Sequence, residues 1–435
     1  MGSTSGISTR LAPFVRLVHS PPVTASALLL EKVHATAESS LRDAGYSVQR
    51  IDKGLSEDEL IEALNGLPDG PVMIGIRSKT RVTAKVFEAV PRLDAIGCFC
   101  IGTDQVALDV ARARGVTVFN APFSSTRSVA ELVMADIVML ARRIFPRNTA
   151  AHDGTWAKSA QGAHEVRGKT VGIVGYGHIG SQLGILAEAF GMKVHYYDIE
   201  KKLPLGNTAP VDSMDELLAT SDFVTLHVPD TEITRGLITA EEIGKMKQGA
   251  YLINLSRGKV VDIEALQAAL KSGHLAGAAV DVYPQEPASN AEPFVSPLRG
   301  LENVILTPHI GGSTMEAQAN IGLEVAGALT RFRNFGGTAG SVTLPNLDVP
   351  RPKHSGEVSR IINLHRNVPG VLSEINRVVA ESGINIVGQS LGTNDDVGLL
   401  FIDVPVAADD AEADKLRTSI AGLQTSLRTR IVKLP

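Results

Sequence analysis

The sequence predicts an α/β protein built from two doubly wound parallel-sheet domains and a third, smaller βαββαβ module. Three observations predict it. Apolar runs of strand length alternate with helical patterns from Leu28 onward. The alternation restarts after a long helix and carries a Gly-x-Gly-x-x-Gly turn at 175–180. A Gly- and Pro-rich stretch then precedes a different element order.

In the first unit, Leu28–Leu30 is followed by a helical pattern over Ala35–Ala44 that Gly45 stops. Val48–Ile51, a helix near Glu57–Leu64 and Val72–Ile76 continue the rhythm, and Leu93–Cys100 and Val116–Asn120 read as buried strands. A helix over Ser128–Arg143 leads to the second unit. There strand Thr170–Val174, helix Gly180–Phe190 and strand Lys193–Tyr197 precede strands at Phe223–Val228, Ala250–Asn254, Ala276–Val282 and Val304–Leu306. Helix Met315–Arg333 is expected to return the chain to the first domain. Residues Asn334–Glu357, with Pro345, Pro350 and Pro352, read as a linker.

Strand Val358–Leu364, helix Gly370–Ser382, strands Asn385–Leu391 and Gly398–Val404, helix Ala411–Ala421 and strand Ser426–Val432 then follow in ferredoxin-like order. The expected domains are 25–124 with 312–345, 125–311, a linker at 346–357, and 358–435.

A chain of 435 residues suits two or three domains, and 44% hydrophobic with 20% charged residues excludes a disordered or fibrous chain. The net charge of -5 provides no footprint for nucleic acid or anionic lipid. No stretch approaches the roughly 18 uncharged apolar residues of a membrane span. Cys98 and Cys100, two apart in an apolar strand, would share a face and not bridge, as expected of reduced core thiols. The first thirty residues hold Arg10 and Arg16 and no acid, which fits a disordered extension or an organelle transit peptide. Pro13, Pro21 and Pro22 oppose a long amphipathic helix there, and the cytoplasm is the expected location.

Gly175-Tyr176-Gly177-His178-Ile179-Gly180 follows a strand and opens a helix, and Asp198 ends the next strand eighteen residues beyond Gly180. In that context the glycines form the Rossmann fingerprint. Gly175 makes the tight turn, Gly177 admits a pyrophosphate, and Gly180 lets helix and sheet pack closely. The helix N-terminus offers free N–H groups to phosphate. Asp198 would bind ribose hydroxyls and repel a 2′-phosphate, which selects NAD over NADP. The expected cofactor contacts here are Gly175, Gly177, His178, Ile179, Gly180, Asp198 and His227, with no metal.

Oxidising a secondary alcohol beside a carboxylate requires a base for the hydroxyl proton and a cation for the acid, and histidine is the usual base near neutral pH. Arg257 in Asn254-Leu255-Ser256-Arg257-Gly258, Glu286 in Asp281-Val282-Tyr283-Pro284-Gln285-Glu286-Pro287, and His309 in Thr307-Pro308-His309-Ile310-Gly311-Gly312 all follow strands of the nucleotide domain. Each alone has a dull explanation: a surface charge, a solvated acid, a satisfied loop histidine. Together on one rim beside a nucleotide loop they read as a catalytic set.

On Gly-His-Ile-Gly at 177–180, Ser256-Arg257-Gly258 and Pro308-His309-Ile310-Gly311-Gly312, the chain resembles the D-isomer-specific 2-hydroxyacid dehydrogenases from about Leu28 onward. It resembles the short branch of that family with a C-terminal ACT domain. The resemblance implies His309 as general acid/base, Glu286 as its carboxylate partner, Arg257 as the grip on the substrate acid, and Asp281 at the nicotinamide end. It implies NAD-dependent oxidation of 3-phospho-D-glycerate to 3-phosphohydroxypyruvate, the first step of L-serine biosynthesis. The first unit becomes the substrate or lid domain. There Arg77, Ser78 and Lys53 would meet the substrate's anionic end, together with Ser125 on another cleft loop. Ser125 and Asp104 stand where relatives carry Asn. Lys53 reads equally well as a solvated loop lysine.

Asn363-Leu364-His365-Arg366-Asn367-Val368-Pro369-Gly370 resembles the ACT turn that opens its first helix. The resemblance implies an L-serine effector site of His365, Asn367 and Asn385 across an ACT pair, and a homotetramer. The plainer alternative is a domain that only dimerises. Trp156 reads as an inter-subunit contact. Two other functions compete: a glyoxylate/hydroxypyruvate reductase, which Arg77 and the ACT domain oppose, and an NAD-sensing corepressor-type protein, which would need a peptide-binding or basic extension.

Overall fold

The computed structural model describes residues 25–287 and 291–434; the expectations placed on Arg10, Arg16 and the N-terminal prolines lie outside them. Five strands, β1 (Ser26–Leu30), β2 (Ser47–Ile51), β3 (Val72–Ile76), β4 (Leu93–Cys98) and β5 (Thr117–Phe119), form a parallel sheet in the order β2-β1-β3-β4-β5. Helices cover both faces, with Leu60, Val86 and Phe87 in one core and Leu41, Ile321 and Leu329 in the other. Burial on both faces is why these strands are continuous apolar runs.

Seven more strands, β6 (Thr170–Val174), β7 (Lys193–Tyr197), β8 (Ala209–Pro210), β9 (Phe223–Leu226), β10 (Ala250–Asn254), β11 (Leu275–Val280) and β12 (Val304–Leu306), form a second parallel sheet. Its order, β12-β11-β10-β9-β6-β7-β8, reverses direction between β9 and β6. Crevices at such reversals receive ligands. Two helices cross between the sheets. Thr126–Arg142 buries Val129, Val133, Ile137 and Leu140 in the second domain, and Met315–Phe335 buries Ile321, Val325 and Phe332 in the first.

The last four strands, β13 (Val358–Arg366), β14 (Gly388–Thr393), β15 (Val397–Val404) and β16 (Ser426–Leu434), pair antiparallel in the order β14-β15-β13-β16. The α/β class with a C-terminal antiparallel module is therefore as expected. Details differ. The helix expected from Gly180 begins at His178 with Gly177 as its N-cap, because the motif turn itself adopts helical geometry. Cys100 lies beyond the end of β4, so the two thiols do not share a strand face; both are free. Asn385 precedes β14 by three residues, since the chain after Gly383 needs a coil turn before it reaches the sheet.

The Gly- and Pro-rich stretch is only partly a linker. Val342 N–H bonds the carbonyl of Val118 at 2.9 Å, and the Thr343 hydroxyl donates to Val116 O at 3.0 Å. This segment is thus stitched to the edge of the first sheet. The third module docks beside it through Arg428, whose guanidinium meets the buried Asp94 at 2.8 Å, and through Arg430 stacked 4.1 Å over Phe332.

Candidate active site

The nucleotide loop runs from the end of β6. Gly175 has φ 92, and a side chain there would collide with the carbonyl of His227 at the end of the neighbouring strand. Only glycine satisfies both conditions. Gly177 faces open space, and the helix it caps has no side-chain cap. Its first N–H groups are thereby left for an anion. A side chain at Gly180 would strike Ile173 and the Gly175 carbonyl, which accounts for the third glycine by packing. Asp198 accepts the Tyr176 N–H at 2.8 Å and the Glu200 N–H at 2.9 Å, so its carboxylate is fixed at the tip of β7 next to this loop. These features fit a dinucleotide with free ribose hydroxyls.

The remaining cofactor expectations divide. His178 is exposed and stacks edge-on with Phe123 of the first domain, ring centroids 4.5 Å apart. Ile179 is half-buried against the domain core. The His227 ring is turned inward: Nε2 lies 3.1 Å from the Thr225 hydroxyl, Nδ1 is buried without a partner, and burial lowers its pKa to about 4. It is the backbone of His227, not its ring, that abuts the glycine loop. Asp281 is buried and directs both oxygens at the segment carrying His309. Oδ1 accepts Thr307 Oγ1 at 2.6 Å and Ile310 N–H at 2.8 Å, and Oδ2 accepts Gly311 N–H at 2.8 Å.

The structure brings Arg257, Glu286 and His309 together. His309 has φ 55, and its N–H is held by the Asp281 carbonyl at 2.8 Å. A left-handed histidine pinned by its neighbours is a backbone strain of the kind met at functional sites. Nδ1 of His309 lies 2.9 and 3.1 Å from the two oxygens of Glu286. That hydrogen bond raises the histidine pKa over the opposing pull of burial. On Glu286 burial pushes upward, but the bond to His309 and the nearby Arg257 charge leave the carboxyl below its ordinary value. Both side chains remain partly exposed, at 50% and 37%, so the pair is open to the cleft.

Arg257 projects from the loop after β10. A side chain at Gly102, in the first domain, would come within 3.1 Å of its guanidinium, so the arginine spans the cleft between the two sheets. Asn254 orders this loop, a task its place in the motif does not by itself announce. Its Oδ1 accepts the N–H and hydroxyl of Ser256 at 3.1 and 2.8 Å, while its Nδ2 donates to the Arg257 carbonyl at 3.0 Å. An Asn two residues before Ser, in a post-strand turn, is the signal that could have revealed it. Gln105 was missed altogether. It donates to the carbonyls of Arg77 at 2.5 Å and Gly102 at 3.4 Å, tying two cleft loops together, and nothing local in the sequence marks it.

Of the residues expected at the substrate's anionic end, Arg77 and Ser78 follow β3, half-buried and exposed respectively. Lys53 follows β2 and is ion-paired with Glu59 at 2.9 Å. Ser125 is buried at the N-cap of the crossover helix and packs against Gly312, three residues beyond His309.

In the C-terminal module, His365, Asn367, Ser373 and Thr393 line a cavity of about 220 Å³. His365 is buried, bonded through Nδ1 to Asn363 at 3.0 Å, and burial lowers its pKa, favouring the neutral ring. Asn385 is exposed and is not among the residues of that cavity.

Comparison with known proteins agrees with this geometry. Residues 134–311 match the model of the D-isomer specific 2-hydroxyacid dehydrogenase NAD binding domain, and 361–425 match the AHAS small subunit-like ACT domain. The chain is 50% identical over 406 residues to D-3-phosphoglycerate dehydrogenase of Haemophilus influenzae, covering 93% of this chain and 96% of that one. It is 51% identical over 405 residues to the Escherichia coli K12 enzyme of the same name, covering 93% and 97%. Among solved structures, D-lactate dehydrogenase from Aquifex aeolicus, complexed with NAD and lactic acid, superposes with a TM-score of 0.64 at 28% identity. That match covers 74% of this chain and 100% of the other.

Proposed function

The chain belongs to the D-isomer-specific 2-hydroxyacid dehydrogenases, and from that premise we propose that it oxidises 3-phospho-D-glycerate to 3-phosphohydroxypyruvate with NAD. The observation that carries this reading is the His309–Glu286 pair beside a cleft-spanning Arg257, next to a glycine loop ending in Asp198. NAD supplies the hydride acceptor. Nδ1 of His309 is committed to Glu286, so Nε2 takes the hydroxyl proton from C2, and Glu286 stabilises the imidazolium that results. Arg257 grips the carboxylate and the C2 oxygen through its planar fork and sets the plane for transfer. Arg77 and Ser78 receive the phosphate, with Lys53 able to leave Glu59 and join them. The names of the relatives support the phosphorylated substrate.

The same reading assigns the His365 and Asn367 cavity to L-serine. Its donors, acceptors and volume of about 220 Å³ suit a small zwitterion. Asn385, away from that cavity, would come from a second copy, and paired modules together with contacts between nucleotide domains, to which the 87% exposed Trp156 would belong, give a homotetramer. The two free cysteines support a cytoplasmic location.

NADH formation from 3-phosphoglycerate, compared with unphosphorylated D-2-hydroxy acids, tests the assignment. Preference for the phosphorylated acid is expected; preference for glycolate or glycerate would favour a glyoxylate/hydroxypyruvate reductase.

A further inference from the structure

We infer that Glu31 is a positioning residue that holds the Arg77–Thr80 loop in its anion-binding shape. The inference rests on the reading that Arg77 and Ser78 receive the substrate phosphate. Glu31 follows β1, the strand between β2 and β3, so it stands between the loops carrying Lys53 and Arg77.

Its carboxylate is buried, at 7% exposure, and makes no ion pair among the described residues. It is satisfied instead by two successive backbone donors of the Arg77 loop, Lys79 N–H at 3.0 Å on Oε2 and Thr80 N–H at 2.7 Å on Oε1. Two adjacent N–H groups on one carboxylate fix the peptide planes on either side of residue 79, just after Ser78. On the other side, the Glu31 N–H is shared by the carbonyls of Ile51 and Lys53 at 3.1 and 3.3 Å. The Thr80 hydroxyl accepts the Leu55 N–H at 3.2 Å. One residue therefore clamps both loops proposed to carry the anion grip. Gln105 secures the same segment from its opposite end, at the Arg77 carbonyl.

The backbone supports the assignment independently. The Leu30–Val33 turn closes with Val33 N–H on Leu30 O at 3.2 Å, and both central residues, Glu31 and Lys32, have positive φ, 58 and 55. Asn and Gly are the residues that such a turn favours. A glutamate in this conformation is strained, and its side-chain bonds to the Arg77 loop, with the backbone bonds of the turn, hold it there. A residue chosen for the turn alone would be glycine, so the carboxylate is what the site requires.

Glu31→Gln keeps the shape but replaces one accepting oxygen with a donor facing an N–H. Reduction of phosphohydroxypyruvate and of hydroxypyruvate by NADH is compared in the wild type, Glu31→Gln and Arg77→Ala, using the full chain. Glu31→Gln is expected to raise KM for the phosphorylated acid about tenfold or more, as misplacement of a binding loop does. It is expected to leave kcat/KM for the unphosphorylated acid and NADH binding near wild-type values. Equal losses on both acids would mean a merely structural role and overturn the inference. So would an unchanged KM for the phosphorylated acid in Glu31→Gln while Arg77→Ala raises it. If Arg77→Ala itself leaves that KM unchanged, the phosphate reading falls instead. Should Glu31→Gln not fold, Glu31→Asp, which keeps the charge and loses the reach, is held to the same criteria.

Discussion

Both carboxylate oxygens of Glu286 lie within 3.1 Å of Nδ1 of His309, leaving Nε2 as the ring nitrogen not engaged by that carboxylate. The bond favours the protonated ring and so raises its pKa, chiefly through Glu286 itself. With His309 as the proposed base, oxidation needs the neutral ring, so activity should rise with pH through that raised pKa. In Glu286→Gln the acid limb of kcat/KM should therefore move to lower pH, with turnover reduced less than in His309→Gln. The latter should lose about 10²–10⁴-fold, the range for a general acid/base. Profiles recorded with 3-phosphoglycerate decide this, and a limb that stays in place would detach Glu286 from the titration.

Asp198 is pinned by two backbone N–H groups at the tip of β7, beside the glycine loop, where we propose that it meets the adenosine ribose. Asp198→Ser removes the repulsion of a 2′-phosphate. The NADP/NAD ratio of kcat/KM should rise about tenfold, which corresponds to 1.4 kcal/mol. An unchanged ratio would put the ribose contact elsewhere.

L-serine should inhibit the full chain, and the ratio of turnover with and without it should approach one in His365→Ala. Asn385→Ala should abolish inhibition as well, although Asn385 lies outside the cavity of its own chain. That second requirement reports the paired modules. Inhibition that survives in Asn385→Ala would confine the site to one copy. A tenfold inhibition needs serine to favour one arrangement of the paired modules over another by only about 1.4 kcal/mol, within reach of a few hydrogen bonds.

Asp136 is buried in the crossover helix, with Oδ1 lacking a partner. Burial, and next the charge of Asp281, raises its pKa from 3.8 to about 7. Between those values the unfolded chain has lost the proton and the folded chain keeps it, so stability falls as pH rises through the window and then levels off. Asp136→Asn removes that dependence. Its Tm advantage over the wild type should grow from about pH 4 to about pH 7 and stay constant above. A Tm difference independent of pH would show that Asp136 is ionised in the fold.

The alternation of strands and helices, the glycine loop with its Asp198, and the placement of Arg257, Glu286 and His309 after strands of one sheet were legible in the sequence. All are local: a period of burial, a turn that only glycine permits, a side chain at a strand end. The tertiary structure alone decided which distant groups meet. Glu286 reaches His309 across 23 residues and Asp281 reaches Gly311 across 30. Gly102 faces Arg257 across the cleft. The inward turn of His227, the packing of Ser125 against Gly312 and the separation of Asn385 from its cavity were decided there too. So was the stitching of residues 342–343 onto the first sheet, which composition alone marks only as glycine- and proline-rich. Such contacts depend on how sheets pack and where crossover helices dock, and that depends on burial of the whole chain, which no short stretch of sequence encodes.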